Sequence, residues 1–208
     1  MAQRAVINTH LVAMARIPPL SAVTMDPGSK GSNIVLSNAN LTATGAATTD
    51  AHVNSTTSRI AGKVYVETTC TGYARGLVGI ANAAANLNSY AGNDANGLSS
   101  FGTDGIFYLS GNPQTPHANT WGAGNVVCIA IDFGAKLIWE RTDGGVWNLG
   151  GAADPGTGVG GLDFSPGGLN LFGPYFFALS PGDATTILTV NFGNTTFAQT
   201  PPTGYGKW

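Results

Sequence analysis

The amino-acid sequence predicts an all-β protein: a two-sheet antiparallel β-sandwich that carries a short N-terminal arm. Three observations predict it. Charged residues make up only 10% of the chain, and Gly occupies 30 of 208 positions, about twice ordinary usage. Exposed helical faces are normally built from Glu, Lys, Arg and Gln. With charge so scarce, the polar surface falls to Asn, Thr and Ser, which suit turns and solvent-facing strand positions. Short apolar runs then recur between clusters of turn formers, with no helical stripe between them. A hydrophobic fraction of 43% also argues against disorder. The length suits one sandwich that buries its core without disulfides or metal.

Residues 1–24 stand apart as a docking arm. They hold Arg4 and Arg16, two of the three Met, and Pro18-Pro19, which stops any regular element. A short helix around Ala5–Arg16 is compatible with the pattern. Val6, Ile7, Leu11, Val12 and Ile17 are exposed unless the arm docks, so a neighbouring molecule is the expected partner. The alternative is an arm packed back on its own domain. The start has no convincing apolar signal region and no run long enough for a membrane helix, so neither signal-directed secretion nor membrane insertion is expected.

The sandwich is expected over residues 25–208. Asn33–Leu36 and Leu41–Thr44 flank Ser37-Asn38-Ala39-Asn40 as a hairpin. Lys63–Cys70 reads as a strand, Gly76–Ala81 as a buried strand, and 82–96 as an Ala/Asn-rich loop. Gly105–Leu109 follows, then a loop containing Pro, Asn and His that runs through Thr120. Asn125–Phe133 is apolar on both faces, as a strand covered on both sides should be. After the turn at Gly134-Ala135 come Lys136–Arg141, a tight turn at Thr142–Gly145, and a return through Val146-Trp147. A Gly/Pro/Asp loop spans 150–170, and Tyr175–Leu179 and Thr186–Phe192 close the count. In the last strand Leu188, Val190 and Phe192 share one face.

The order of these pieces resembles the SPRY-type domain. The matching runs are Gly62–Glu67, Gly76–Ala81, Ser100–Gly105, Val126–Asp132 with Lys136–Trp139 and Gly144–Trp147, Pro174–Leu179 and Leu188–Gly193. Leu36–Thr44 and Phe197–Tyr205 resemble the opening hairpin and the ending of the bacteriophage structural-protein version. Val66 departs from the pattern, standing where an aromatic residue is common, and 112–124 is longer than usual. The resemblance implies a concanavalin-like jelly roll that binds rather than catalyses. It also implies a multi-copy or homo-oligomeric place on a virion surface. There the arm docks on capsid or tail proteins, and the sandwich meets a host-surface glycan or protein.

The chemistry-bearing residues point the same way. The only Glu residues, Glu67 and Glu140, show no paired-carboxylate spacing, and Glu67 lies in a strand with a structural role. Asp132 is expected to cap the Gly134 turn. His10, His52 and His117 lie in the arm or in loops, and no Gly-x-Ser-x-Gly elbow occurs. No catalytic residue, cofactor or metal is assigned. Asp154 and Asp163 bracket a loop in which calcium is the competing reading to simple turn formation. Cys70 and Cys128 read as buried thiols, with a disulfide as the alternative. A net charge of −2 with scattered basic residues argues against nucleic acid. Binding candidates are the loop aromatics and their polar neighbours: Tyr90, Asn112, His117, Trp121, Trp147, Asp154 and Asp163. Trp121 is expected on display, whereas Trp139 and Trp147 are expected to pack against the core. A carbohydrate-binding lectin is the alternative function, and a glycoside hydrolase the more distant one.

Overall fold

A computed structural model describes residues 22–208. The arm residues Val6, Ile7, Leu11, Val12 and Ile17 lie outside the described residues. The strands run β1 (Met25–Lys30), β2 (Ile34–Ser37), β3 (Thr42–Gly45), β4 (Val53–Ser55), β5 (Lys63–Gly72) and β6 (Gly76–Ala81). They continue as β7 (Gly97–Phe101), β8 (Ile106–Leu109), β9 (Asn112–Gln114), β10 (Val126–Asp132) and β11 (Leu137–Thr142). The last are β12 (Leu162–Asp163), β13 (Phe176–Pro181), β14 (Ile187–Asn191) and β15 (Gly206–Lys207). They form two facing sheets, ordered β1-β4-β13-β6-β7-β8-β9 and β12-β11-β10-β5-β14-β3-β2. All pairings are antiparallel except β15, which adds parallel to β5 at Val64 and Tyr65.

Alternation explains the core. Val64 and Val66 of β5, Val127, Ile129 and Ile131 of β10, and Leu188 and Val190 of β14 point between the sheets. Val78, Ile80, Leu98, Phe107, Phe177 and Leu179 meet them from the other sheet. At one end Phe133 stacks on Tyr175 (5.4 Å, 17°), and Trp208 sets its edge against Phe133 and Phe177, each at 5.7 Å. The Trp208 indole N–H donates to the Thr57 carbonyl at 2.9 Å and the Tyr175 hydroxyl to the Leu171 carbonyl at 2.8 Å, so both polar side-chain atoms of this plug are satisfied.

The double coverage expected for β10 is present. On the face away from the core, Cys128 and Ala130 meet Tyr65, Trp139 and Trp147, with Phe197 and Tyr205 of the C-terminal tail laid over them. Glu67 fastens that tail. Its carboxylate accepts the backbone N–H groups of Ala198 and Gln199, both at 2.7 Å, and the Tyr65 hydroxyl at 2.9 Å. This is a structural role, as the sequence suggests. Asp132 accepts the N–H groups of Gly134 and Ala135 at 2.9 Å, the expected turn cap. Cys70 faces the inter-sheet core and Cys128 the opposite face of the same sheet, so the two buried thiols are free and cannot meet.

Three expectations need correction. Val146-Trp147 does not return as a strand: Trp147–Leu149 is a 3-10 turn, with Asn148 and Leu149 at φ 44° and 49°. The Asn148 side chain takes over the ladder's work, accepting the Glu140 N–H at 2.8 Å and donating to the Ile138 and Gly160 carbonyls. The 112–124 loop begins with β9, an edge strand where Pro113 costs no ladder bond. The 150–170 loop contributes β12, which pairs with Leu137 and Ile138.

Candidate functional site

The outer face of the first sheet is built from the residues left over once the core is filled. With Val78, Ile80, Leu98 and Phe107 turned inward, Leu77, Phe101 and Tyr108 face outward. The 82–96 loop lies on this face. Its Ala85 and Ala91 pack on Ala81 and Ala178, and the Ala91 N–H donates to Ser180 Oγ at 3.1 Å. The Asn-rich composition serves the loop's own backbone: Asn82, Asn86 and Asp94 accept the N–H groups of Ala84, Asn88 and Asn96 at 2.8–3.1 Å. Gly92, at φ 102°, permits the closest approach. A Cβ there would sit 2.3 Å from the Tyr108 carbonyl oxygen.

The loop thereby brings Tyr90 edge-on to Tyr108 (6.3 Å, 82°), and Phe101 meets Tyr108 similarly (6.4 Å, 68°). Arg75 lies 5.1 Å over the Phe101 ring and is held by Asp50 through Nε–Oδ1 and Nη2–Oδ2 bonds of 2.7 and 2.9 Å. This fork keeps the guanidinium charged, and partial burial raises the phenols of Tyr90 and Tyr108 above their usual range. Asp104, exposed at the rim, accepts the Tyr108 hydroxyl at 2.9 Å. Arg75, Leu77, Tyr90, Phe101 and Tyr108 enclose a depression of about 150 Å³. That is smaller than a drug-sized site and suits one side chain or one ring.

Of the sequence-derived candidates, Tyr90 alone lines this shelf, and Asn112 is exposed at the start of the neighbouring edge strand. Asn112 pairs with Leu109 of β8, and Gly111 N–H bonds the Gly92 carbonyl, which ties the β8–β9 turn to the loop that carries Tyr90. His117 is exposed on the following connection, between Pro116 and buried Ala118. Trp121 is not on display. It is 4% exposed, set edge-on against Tyr73 (5.2 Å), and its indole N–H reaches Ser100 Oγ at 3.4 Å. Gly76 and Gly102 leave the space it fills, since a Cβ at Gly102 would meet its ring at 2.7 Å. Trp147 is buried beneath the Arg141 guanidinium, 4.5 Å from its ring, as a packing residue. Asp154 and Asp163 each close a separate turn, accepting the Gly156 and Ser165 N–H groups at 2.8 Å. Among the described residues no group of three His, Cys, Asp or Glu is placed to hold a metal.

The sequence reading missed Arg75, Leu77, Phe101 and Tyr108. The usable signal was alternation in β6 and β8, which puts Leu77 and Tyr108 on the face opposite Val78 and Phe107. Two larger openings, of about 590 and 480 Å³, border the C-terminal tail. Their aromatic rings, Phe197 and Trp208, are already engaged by Tyr65 and by the end cluster. Glu67 and Glu140 point to opposite faces of one sheet, so they cannot flank a single glycosidic bond.

Glu140 is fully buried between the sheets. One carboxyl oxygen accepts the Ser100 hydroxyl from the facing sheet, and the other has no partner. Burial pushes its acid up to about 8.

The architecture is that of a SPRY domain. The crystal structure of the SPRY domain of human HERC1 is similar, with a TM-score of 0.61 over 83% of this chain and 99% of that one, at 11% identity. No family model and no curated protein matches the sequence. At this identity the likeness concerns the fold alone.

Proposed function

We propose that this chain is a non-catalytic interaction module displayed in multiple copies on a phage virion surface, with the aromatic shelf around Tyr90 and Tyr108 as its contact surface. The shelf carries the reading. It gathers three partly exposed aromatic rings and a fixed Arg–Asp fork on a rigid sheet face, whereas the chain's other large aromatic clusters are consumed by packing. The separation of Glu67 from Glu140 supports binding over glycoside hydrolysis. The virion placement draws on the low charge, on the apolar arm of residues 1–24, and on the resemblance of the opening hairpin and the ending to phage structural proteins.

The test is association with particles. A Tyr90→Ala/Tyr108→Ala variant should keep its melting temperature within a few degrees and lose its place on particles purified from a lysate. Full retention on particles, or absence of the wild-type chain from them, overturns the reading. A glycan array on the same pair scores a saccharide as the competing occupant. A specific signal lost in the variant would turn the proposal into the lectin reading.

A further inference from the structure

Building on that reading of the shelf, we infer that its occupant is the Arg16-Ile-Pro-Pro-Leu20 segment of a second copy of this chain. The chemistry matches on both sides. Consecutive prolines favour an extended, hydrogen-bond-free helix that loses little entropy on docking, and such segments are read by aromatic-lined depressions. The shelf supplies the rings of Tyr90, Phe101 and Tyr108 over the buried floor of Leu77, and its small volume suits a proline ring. Arg75 already occupies the face of Phe101 and is neutralised by Asp50, which leaves Asp104 as the rim charge for Arg16. The charge balance agrees. Residues 1–24 hold two Arg and no acid out of 9 basic and 11 acidic residues, so the remainder carries seven basic against eleven acidic groups.

Chain length makes the contact intermolecular. The described chain starts at Ala22, beyond the Met25 end of β1, where Thr24 still bonds Thr56 and Asn194 reaches the Val23 carbonyl. The shelf lies four strand steps away along β1-β4-β13-β6-β7, about 19 Å at the usual spacing. Register adds displacement along the strands: Met25 is level with Ser55, whereas Leu77 and Phe101 are level with Ser180, towards the opposite end. That contributes roughly 20 Å more from Ala22. From Ala22 back to Pro18 the chain spans at most about 14 Å. The prolines of the same chain stop well short of its own shelf, and a neighbour's do not. Such a contact closes as a reciprocal pair that exchanges arms, or runs head-to-tail into rings or filaments.

Sedimentation of the full chain tests this with two complementary variants: Pro18→Ser/Pro19→Ser in the arm, and Tyr90→Ala/Tyr108→Ala in the shelf. Wild type should self-associate, and each variant alone should do so at least about tenfold more weakly. An equimolar mixture should form one-to-one dimers that grow no further, because one variant supplies an intact shelf and the other an intact arm. A monomeric wild type, undiminished assembly in either variant, or a mixture that stays monomeric overturns the inference. If the mixture fails while the shelf variant is still lost from particles, only the occupant is wrong. If the shelf variant stays on particles, the reading of the shelf itself falls.

Discussion

Ionisation of Glu140 should make this protein less stable as pH rises through neutrality, and Glu140→Gln should remove that dependence. The carboxyl is sealed between the sheets with its acid pushed up to about 8, against 4.5 for the free group. Below about pH 4.5 it is protonated in both folded and unfolded chains. Between there and pH 8 the unfolded chain ionises while the folded chain holds its proton, so stability falls by about 1.4 kcal/mol per pH unit. The loss levels off above pH 8, at on the order of 5 kcal/mol, or roughly 10–20 °C in Tm for a domain of this size. Glutamine preserves the shape and still bonds Ser100, but has no proton to lose. Thermal melts of both proteins from pH 4 to 9 should therefore diverge: the wild-type curve should fall relative to a variant whose dependence lacks this slope. Parallel curves would refute the reasoning, because they would mean that Glu140 is solvated or paired in a way its burial does not allow.

Three other outcomes follow. His52 is buried with Nδ1 2.8 Å from the Ser89 carbonyl and Nε2 unpartnered, and burial lowers its pKa from 6.5. Its contribution is therefore complete above pH 6.5 and is lost on acidification, so His52→Gln should flatten the acid side of the same melts. Glu67→Ala strips the tail of two bonds to a carboxylate and Tyr65 of a third, and should cost about 3 kcal/mol, with faster amide exchange at Ala198 and Gln199. Trp121→Ala should destabilise the whole domain by about 3–5 kcal/mol in denaturant titrations rather than selectively weaken partner binding, because the ring fills the space beside Gly102.

What the sequence made legible was what local pattern determines. The hairpin at Ser37–Asn40, the two-sided coverage of β10 and the inward face of β14 follow from turn chemistry and alternation. The Asp132 cap and the structural role of Glu67 follow from their places in strands. What it hid depends on packing at long range. Trp121 sits in a Gly-rich loop and reads as exposed, yet Gly76 and Gly102, distant in sequence, open the space that buries it. Asn148 resembles any loop amide, but it replaces a strand by capping β11. The shelf joins Arg75, the 82–96 loop and β6–β8, and of its residues only Tyr90 was visible as a candidate. Tyr108 lay in a run read only as a strand, with no face assigned, and Phe101 lay in a run read as no strand at all.

A hydroxyl-radical footprint, comparing the free chain with its assembled state, tests the central claim most directly. Oxidation of Tyr90, Phe101 and Tyr108 should fall several-fold on assembly, while the exposed Val146, Leu149 and Phe172 stay unchanged. Protection of those three, with the shelf still reactive, would contradict the account.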